Sequence, residues 1–250
     1  MTISRGGPPR AAAPARRRDG VVRELTGRIV SGAWPVGYLV PTEAELGALL
    51  GISRTALREG VGLLVDRGLL IVRQGKGTVV APQAQWDLLD PLVLGEGLRH
   101  AVPGVAEHVL DVRRQLEPLA IGLAAERATP AERAGLERLV RQLREHVDDL
   151  PAYIELASRF HEALCSAAGN PLLARMLAPI HAALRIWRGD LRVPAGTQQD
   201  NHRDHERILA AVRVGHRVAA ADAAAAHLST VFEADMRAAL AARAAPGQAG

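Results

Sequence analysis

Three histidines stand among apolar neighbours at helical spacing. His161 lies in "ASRFHEALCSAAG" with Leu156, Phe160 and Leu164 around it, and His205 lies in "DHERILAAV" ahead of Ile208 and Leu209. His227 lies in "AAAAHLSTV" beside Leu228 and Val231. A neutral imidazole in such surroundings is a good ligand for a borderline divalent metal such as zinc or nickel; it also serves as packed core or as half of an acid–base pair. Arg113, in "DVRRQLE", offers a planar fork that pairs bidentately with a carboxylate. It also stands four residues from Glu117, the spacing of an ion pair on a solvated helix face. Arg185 is a second cation of the same kind. Cys165, one turn after His161, reads as packing.

A second set of residues is basic and small. "SRTALREG" carries Ser53, Arg54, Thr55 and Arg58, with the two arginines one turn apart, and "QGKG" carries Gly75, Lys76 and Gly77. Lys76 is the only lysine in the chain. Arginine is the side chain best suited to bidentate contact with guanine, and a Gly-Lys-Gly tip approaches phosphate or the minor groove without bulk. Residues 1–85 hold twelve Lys and Arg against six Asp and Glu, whereas the remainder holds 19 against 21. A basic first third on a slightly acidic body predicts a polyanion partner for that third.

The elements that position these residues follow from caps and punctuation. Residues 1–19 are Pro-, Ala-, Arg- and Gly-rich and read as a disordered basic arm. "VVRELTGRIVSG" sets Val21, Val22, Leu25, Ile29 and Val30 on one helical face and stops at Gly32. Thr42 with Glu45 makes a capping box for a second helix ended by Gly51, and Ser53 caps a third that ends at Gly68. "LLIVRQGKGTVVAP" is a β-hairpin closed by Pro82. Helix, helix, turn, helix and hairpin make a winged helix-turn-helix, placed at 20–83, whose third helix enters the major groove. Thr42, Ser53, Arg54, Thr55, Arg58, Gly75, Lys76 and Gly77 are its expected DNA contacts. Gly60 and Gly62 inside the third helix cost about 1 kcal/mol each relative to Ala, and the sequence offers no reason for them.

Residues 84–100 read as a linker, with Pro91, Gly95 and Gly97 breaking any long helix. From 101 to 244 six or seven antiparallel helices form an all-α bundle, with turns at Thr129-Pro130, Pro151, Gly169-Asn170-Pro171, Pro194-Gly196 and Gly215, and a tail at 245–250. The fold class is mainly α. One cysteine excludes an internal disulfide and fits a reducing cytoplasm. No apolar run approaches the roughly 20 residues of a membrane span.

Residues 21–82 resemble the DNA-binding domain of the GntR family of bacterial transcription regulators, through "GRIVSGAWPVGYLVPTEAELGALLGISRTALREG" and "LLVDRGLLIVRQGKGTVVAP". The departure is Ala44, where many relatives carry an arginine that helps hold DNA. Residues 100–243 resemble the ligand-sensing FCD domain of the family's FadR branch, through "DVRRQLEPLAIGLAAERA", "FHEALCSAAGNPLL", "DHERILAAV" and "AAAAHL". The resemblance implies a divalent metal on His161, His205 and His227. It also implies an effector carboxylate at Arg113, with Arg185 beside it, and a homodimer that reads a palindromic operator. The aspartate that usually completes the metal set falls at Ala157, which leaves the site one protein ligand short unless Glu155 or His202 reaches in. "QWDLLDPLVL" resembles members that answer to sugar acids such as galactonate. The expected function is a DNA-binding regulator, a repressor released by a small carboxylate. The alternative is an all-α metal-dependent hydrolase with an accessory DNA-binding domain. Against it, "HEALC" and "HERIL" lack the second histidine of the zinc-protease motif, and no histidine precedes an aspartate.

Overall fold

The computed structural model describes residues 14–188 and 197–229, and the chain divides into two compact units, Met1–Asp87 and Leu88–Gly250. Residues 1–13 of the expected arm, the turn at Pro194-Gly196 and everything after residue 229 lie outside the described residues.

The first unit holds α1 (Pro14–Val30), α2 (Glu43–Leu50), α3 (Arg54–Asp66), β1 (Leu70–Arg73) and β2 (Gly77–Val80). Residues 14–19, expected as arm, belong to α1; the arginine-rich stretch continues the helical phase that Val21 and Leu25 anchor. α1 packs on α3, burying Val21, Val22, Leu25 and Ile29 with Leu57 and Leu64, each worth about 1.5–3 kcal/mol of transfer free energy. This contact accounts for Gly60: a Cβ there would meet Val21 Cγ1 at 3.1 Å, so the glycine lets the two helices approach. Gly62 faces open space, and nothing in the structure explains it. The hairpin is antiparallel, pairing Leu70 with Val80 and Arg73 with Gly77, and Leu39 bridges Val79 on the other side. After the hairpin the chain turns back under α3. Asp87 N–H donates to the Arg67 carbonyl at 2.9 Å, and a Cβ on Gly68 (φ +69°) would stand 1.9 Å from the Gln85 carbonyl oxygen. Only glycine fits that crossing.

The second unit is all helical among its described residues: α4 (Pro91–Arg99), α5 (Val105–Arg127), α6 (Pro130–Glu145), α7 (Leu150–Ala167), α8 (Pro171–Arg188), α9 (Thr197–Arg213) and α10 (Arg217–His227). Seven helices match the expected bundle, but the stretch read as a linker supplies one of them. Pro91 sits in the first turn of α4, where its missing N–H costs nothing, and Asp90 caps the helix by accepting from Leu92 N–H and Val93 N–H. Gly95 and Gly97 do not break α4. They are buried where a Cβ would press on Ile186 at 3.1 Å and on Val105 at 3.3 Å, so α4 lies close against α8 and the start of α5. Trp86 of "QWDLLDPLVL" donates its indole N–H to the Ala81 carbonyl, a structural use of that motif.

α5 runs through the middle, in contact with α7, α8, α9 and α10. The largest core cluster gathers Ile121, Leu143, Phe160, Leu164, Ile208, Val212 and Ala224 from five helices. Arg133 fastens the far end. Its guanidinium donates to the Ala125, Ala128, Val212 and Arg213 carbonyls, which satisfies the last turns of α5 and α9 together.

Candidate functional site

In the first unit the recognition surface is built by caps. Thr42 Oγ1 accepts from Glu45 N–H (3.3 Å) and donates to the Glu45 carboxylate (2.8 Å), while Ser53 Oγ accepts from Ala56 N–H (3.4 Å). The cap bonds hold Glu45's carboxyl below the usual range. Both hydroxyls are therefore engaged by their own helices. Arg54, Thr55 and Arg58 project outward from the first turns of α3, all exposed, and Arg58 Nε lies 3.6 Å from the Glu43 carboxylate. Gly75 (φ +69°) and Gly77 (φ +83°) form the turn that exposes Lys76.

In the second unit the three histidines come together from α7, α9 and α10. One ring nitrogen of each lies within 4.8 Å of the others, and His161 Nε2 stands 3.2 Å from His205 Nε2. They are 6%, 0% and 3% exposed. Burial holds all three rings below the usual histidine pKa. At His161 it outweighs the opposing pull of Glu117, at His205 the other two histidines add to it, and at His227 it outweighs the Asp204 hydrogen bond. Three neutral imidazoles converging on one point fit a borderline divalent cation. Ala157 is buried one turn before His161 among apolar side chains. Neither alternative fourth ligand joins the cluster: Glu155 pairs with Arg185 and His202 faces Glu206.

Arg113 does not stand on a solvated face. It forms the i,i+4 pair with Glu117, and that pair is buried, at 3% and 0% exposure. Its Nη2 donates to Glu117 Oε2 at 3.0 Å, and its Nε donates to Oε1. Glu117 also accepts from His181 Nε2 at 3.0 Å and faces His161 Nδ1 at 3.6 Å. Burial pushes the Glu117 carboxyl up, but the charges of Arg113 and His181 and their hydrogen bonds hold it well below the carboxylate range. A small pocket, partly open to solvent, adjoins the network and is lined by Arg113, Ser158, His161, His181, Arg185 and Arg188, among others. Arg185 donates to Glu162 (3.0 Å) and lies 3.5 Å from Glu155. The structure thus brings His161, Arg113 and Arg185 to one pocket and sets His205 and His227 behind it.

His181, Arg188, Tyr153 and Asp204 were not singled out from sequence, and Glu117 was read only as a partner of Arg113 on a solvated face. The signal was there for some. Glu117 shares a helix face with Arg113, and His181, Arg185 and Arg188 recur at i, i+4, i+7 in an α8 whose one other charged residue is Arg175.

Comparison with known proteins agrees with both halves. Residues 17–80 match the model of the bacterial regulatory proteins of the gntR family, and residues 108–230 match that of the FCD domain. The chain is 30% identical over 203 residues to the galactonate operon transcriptional repressor of Escherichia coli K12, covering 79% of this chain and 87% of that one. It belongs to the GntR family of transcription regulators. A second GntR-type relative, the HTH-type regulator YieP of E. coli K12, is 32% identical over 170 residues, covering 67% and 74% of the two chains. The structure of a Streptococcus agalactiae GntR protein superposes with a TM-score of 0.50 at 28% identity, covering 87% and 99%. The GntR relatives are regulators, not enzymes, so the hydrolase alternative finds no support. No described helix is long and apolar enough to cross a membrane.

Proposed function

We propose that the chain is a homodimeric repressor that leaves a palindromic operator when a small carboxylate, of the sugar-acid class, enters the pocket of its second unit. One observation carries this reading. Arg113, Arg185 and Arg188 line a single pocket with His161, the front member of the three-histidine cluster. Arginine-rich walls next to a buried cation site suit an anion with oxygens to spare. The E. coli relative that represses a galactonate operon supports the sugar-acid class. In the first unit Arg54, Thr55 and Arg58 read bases while Lys76 and the glycine tip hold phosphate; Thr42 and Ser53 contribute through the N–H groups of the helix starts they cap.

His161, His205 and His227 would hold zinc or nickel, which supplies a buried positive charge for the carboxylate. A single winged unit covers too few base pairs for specificity, which is why two copies are expected on one site. The test begins with an operator selected from random duplex by the purified chain. Labelled operator is then titrated with aldonic and aldaric acids, with and without one equivalent of zinc, while sedimentation reports subunit number. Release by a sugar acid, stronger with zinc, and a dimer in sedimentation are expected. No release by any carboxylate in either condition overturns the effector reading.

A further inference from the structure

The three histidines are not equivalent, because each has its Nδ1 turned to a different partner. His161 Nδ1 faces Glu117 Oε2 at 3.6 Å. His227 Nδ1 faces Asp204 Oδ2, also at 3.6 Å. His205 Nδ1 meets the Tyr153 hydroxyl at 3.4 Å. The two carboxylates are arranged alike: Arg113 engages Glu117, and Arg207 donates to Asp204 Oδ1 at 2.8 Å. An ionised carboxylate can only accept, so the nitrogen that faces it carries the ring's proton. A neutral ring has one such proton. His161 and His227 are therefore set with the proton on Nδ1 and the lone pair on Nε2.

His205 cannot be set the same way while its neighbour is His161. Their Nε2 atoms stand 3.2 Å apart, a hydrogen-bond distance that needs one donor. His161 has none to offer there, so His205 Nε2–H donates. Its Nδ1 is then bare and accepts from Tyr153 O–H. The result is one directed chain of two hydrogen bonds, Tyr153 O–H to His205 Nδ1 and His205 Nε2–H to His161 Nε2, with His161 Nδ1–H turned toward Glu117 at 3.6 Å, beyond hydrogen-bond length.

We propose that this chain is a latch, and that metal binding requires His205 alone to change tautomer. The Nε2 lone pair of His205 is needed at the point the rings share. The proton leaves Nε2 and one is taken up at Nδ1, so the ring stays neutral and nothing is released. The Tyr153 hydroxyl turns from donor to acceptor. Tyr153 is thus a positioning residue, and His161 and His227 are ready before the metal arrives. The switch rests on the metal reading above; the tautomer set of the metal-free protein does not.

The test is a long-range 1H–15N correlation on the full chain labelled with 15N histidine, stripped of metal and then given one equivalent of zinc. The rings are assigned with His161→Gln, His205→Gln and His227→Gln. The metal-free spectrum should show Nδ1–H at His161 and His227 and Nε2–H at His205, and zinc should convert His205 alone, leaving all three as Nδ1–H. His205 already Nδ1–H without metal, or His161 as Nε2–H, overturns the chain. No response to zinc overturns the switch and the metal reading together, while the metal-free spectrum still decides the chain. Tyr153→Phe removes the acceptor of the switched state and should weaken zinc about 10-fold or more by calorimetry, with His205 still Nε2–H before zinc; unchanged affinity removes Tyr153 from the latch.

Discussion

The two units place their working side chains in opposite environments. In the first, Arg54, Thr55, Arg58 and Lys76 are all exposed, and the one buried polar side chain among the described residues is Thr26. In the second, Arg113, Glu117, His161, His181, Asp204, His205 and His227 are all buried. A surface that reads a large polyanion presents charges to water and exchanges counterions for phosphates. A site for a small ion has to remove water first, because electrostatic attraction strengthens as the local dielectric falls. The lesson is that binding strength in the first unit lies in side chains that can be cut away singly. In the second it lies in a network whose members hold one another.

The largest expected effect breaks that network. Arg113→Ala leaves Glu117 buried without its cation and should cost about 3–5 kcal/mol of folding free energy in the second unit, read by denaturant unfolding. Arg113→Lys keeps a cation but loses the fork; it should fold, hold the operator and need more carboxylate for release. If Arg113→Ala unfolds like the parent, the buried pair contributes nothing and the contrast between the units fails. Next, Arg54→Ala should cost on the order of 1–3 kcal/mol on the operator and much less on random duplex, with folding unchanged. Equal losses on both duplexes, by anisotropy at fixed salt, make Arg54 a phosphate contact only. A smaller effect comes from Ala157→Asp, which returns a carboxylate one turn from His161. Buried among apolar side chains, it should lower the melting temperature of the metal-free chain and tighten zinc by about 10-fold; calorimetry with no gain would show that residue 157 does not reach the site. The smallest is a pair of helix substitutions in the first unit. Gly62→Ala faces open space and should stabilise by up to about 1 kcal/mol. Gly60→Ala meets Val21 at 3.1 Å and should gain less or lose, so equal gains would dissolve the account of Gly60.

How far each unit could be read from sequence follows the same divide. Caps, glycine stops and a hairpin tip are local, and Thr42, Ser53, Gly51 and the Gly75–Gly77 turn stand where their spacing puts them. The histidine trio was legible because each member breaks an apolar helix face. What failed was range and context. Arg113 and Glu117 gave themselves away as a pair, but whether a helix face is wet or dry depends on α7 and α8, which come later in the chain. Asp204 looks like an ordinary neighbour of His205, yet it serves His227 on another helix. Glu117 and His181 each lie within two residues of an interior proline, Pro118 and Pro179, and those prolines mark the site without saying what it contains. Gly95 and Gly97 were misread because the sequence cannot distinguish a glycine that frees the chain from one that lets two helices touch.

The crossing at Gly68 has a mechanical meaning. The chain leaves the first unit through residues 83–87, which are clasped to the far end of α3 by the Asp87–Arg67 bond and by the Gln85 carbonyl seated over Gly68. A pull applied at residue 88 is therefore shared between the end of α3, through Arg67 and Gly68, and the end of the hairpin, through the Trp86–Ala81 bond.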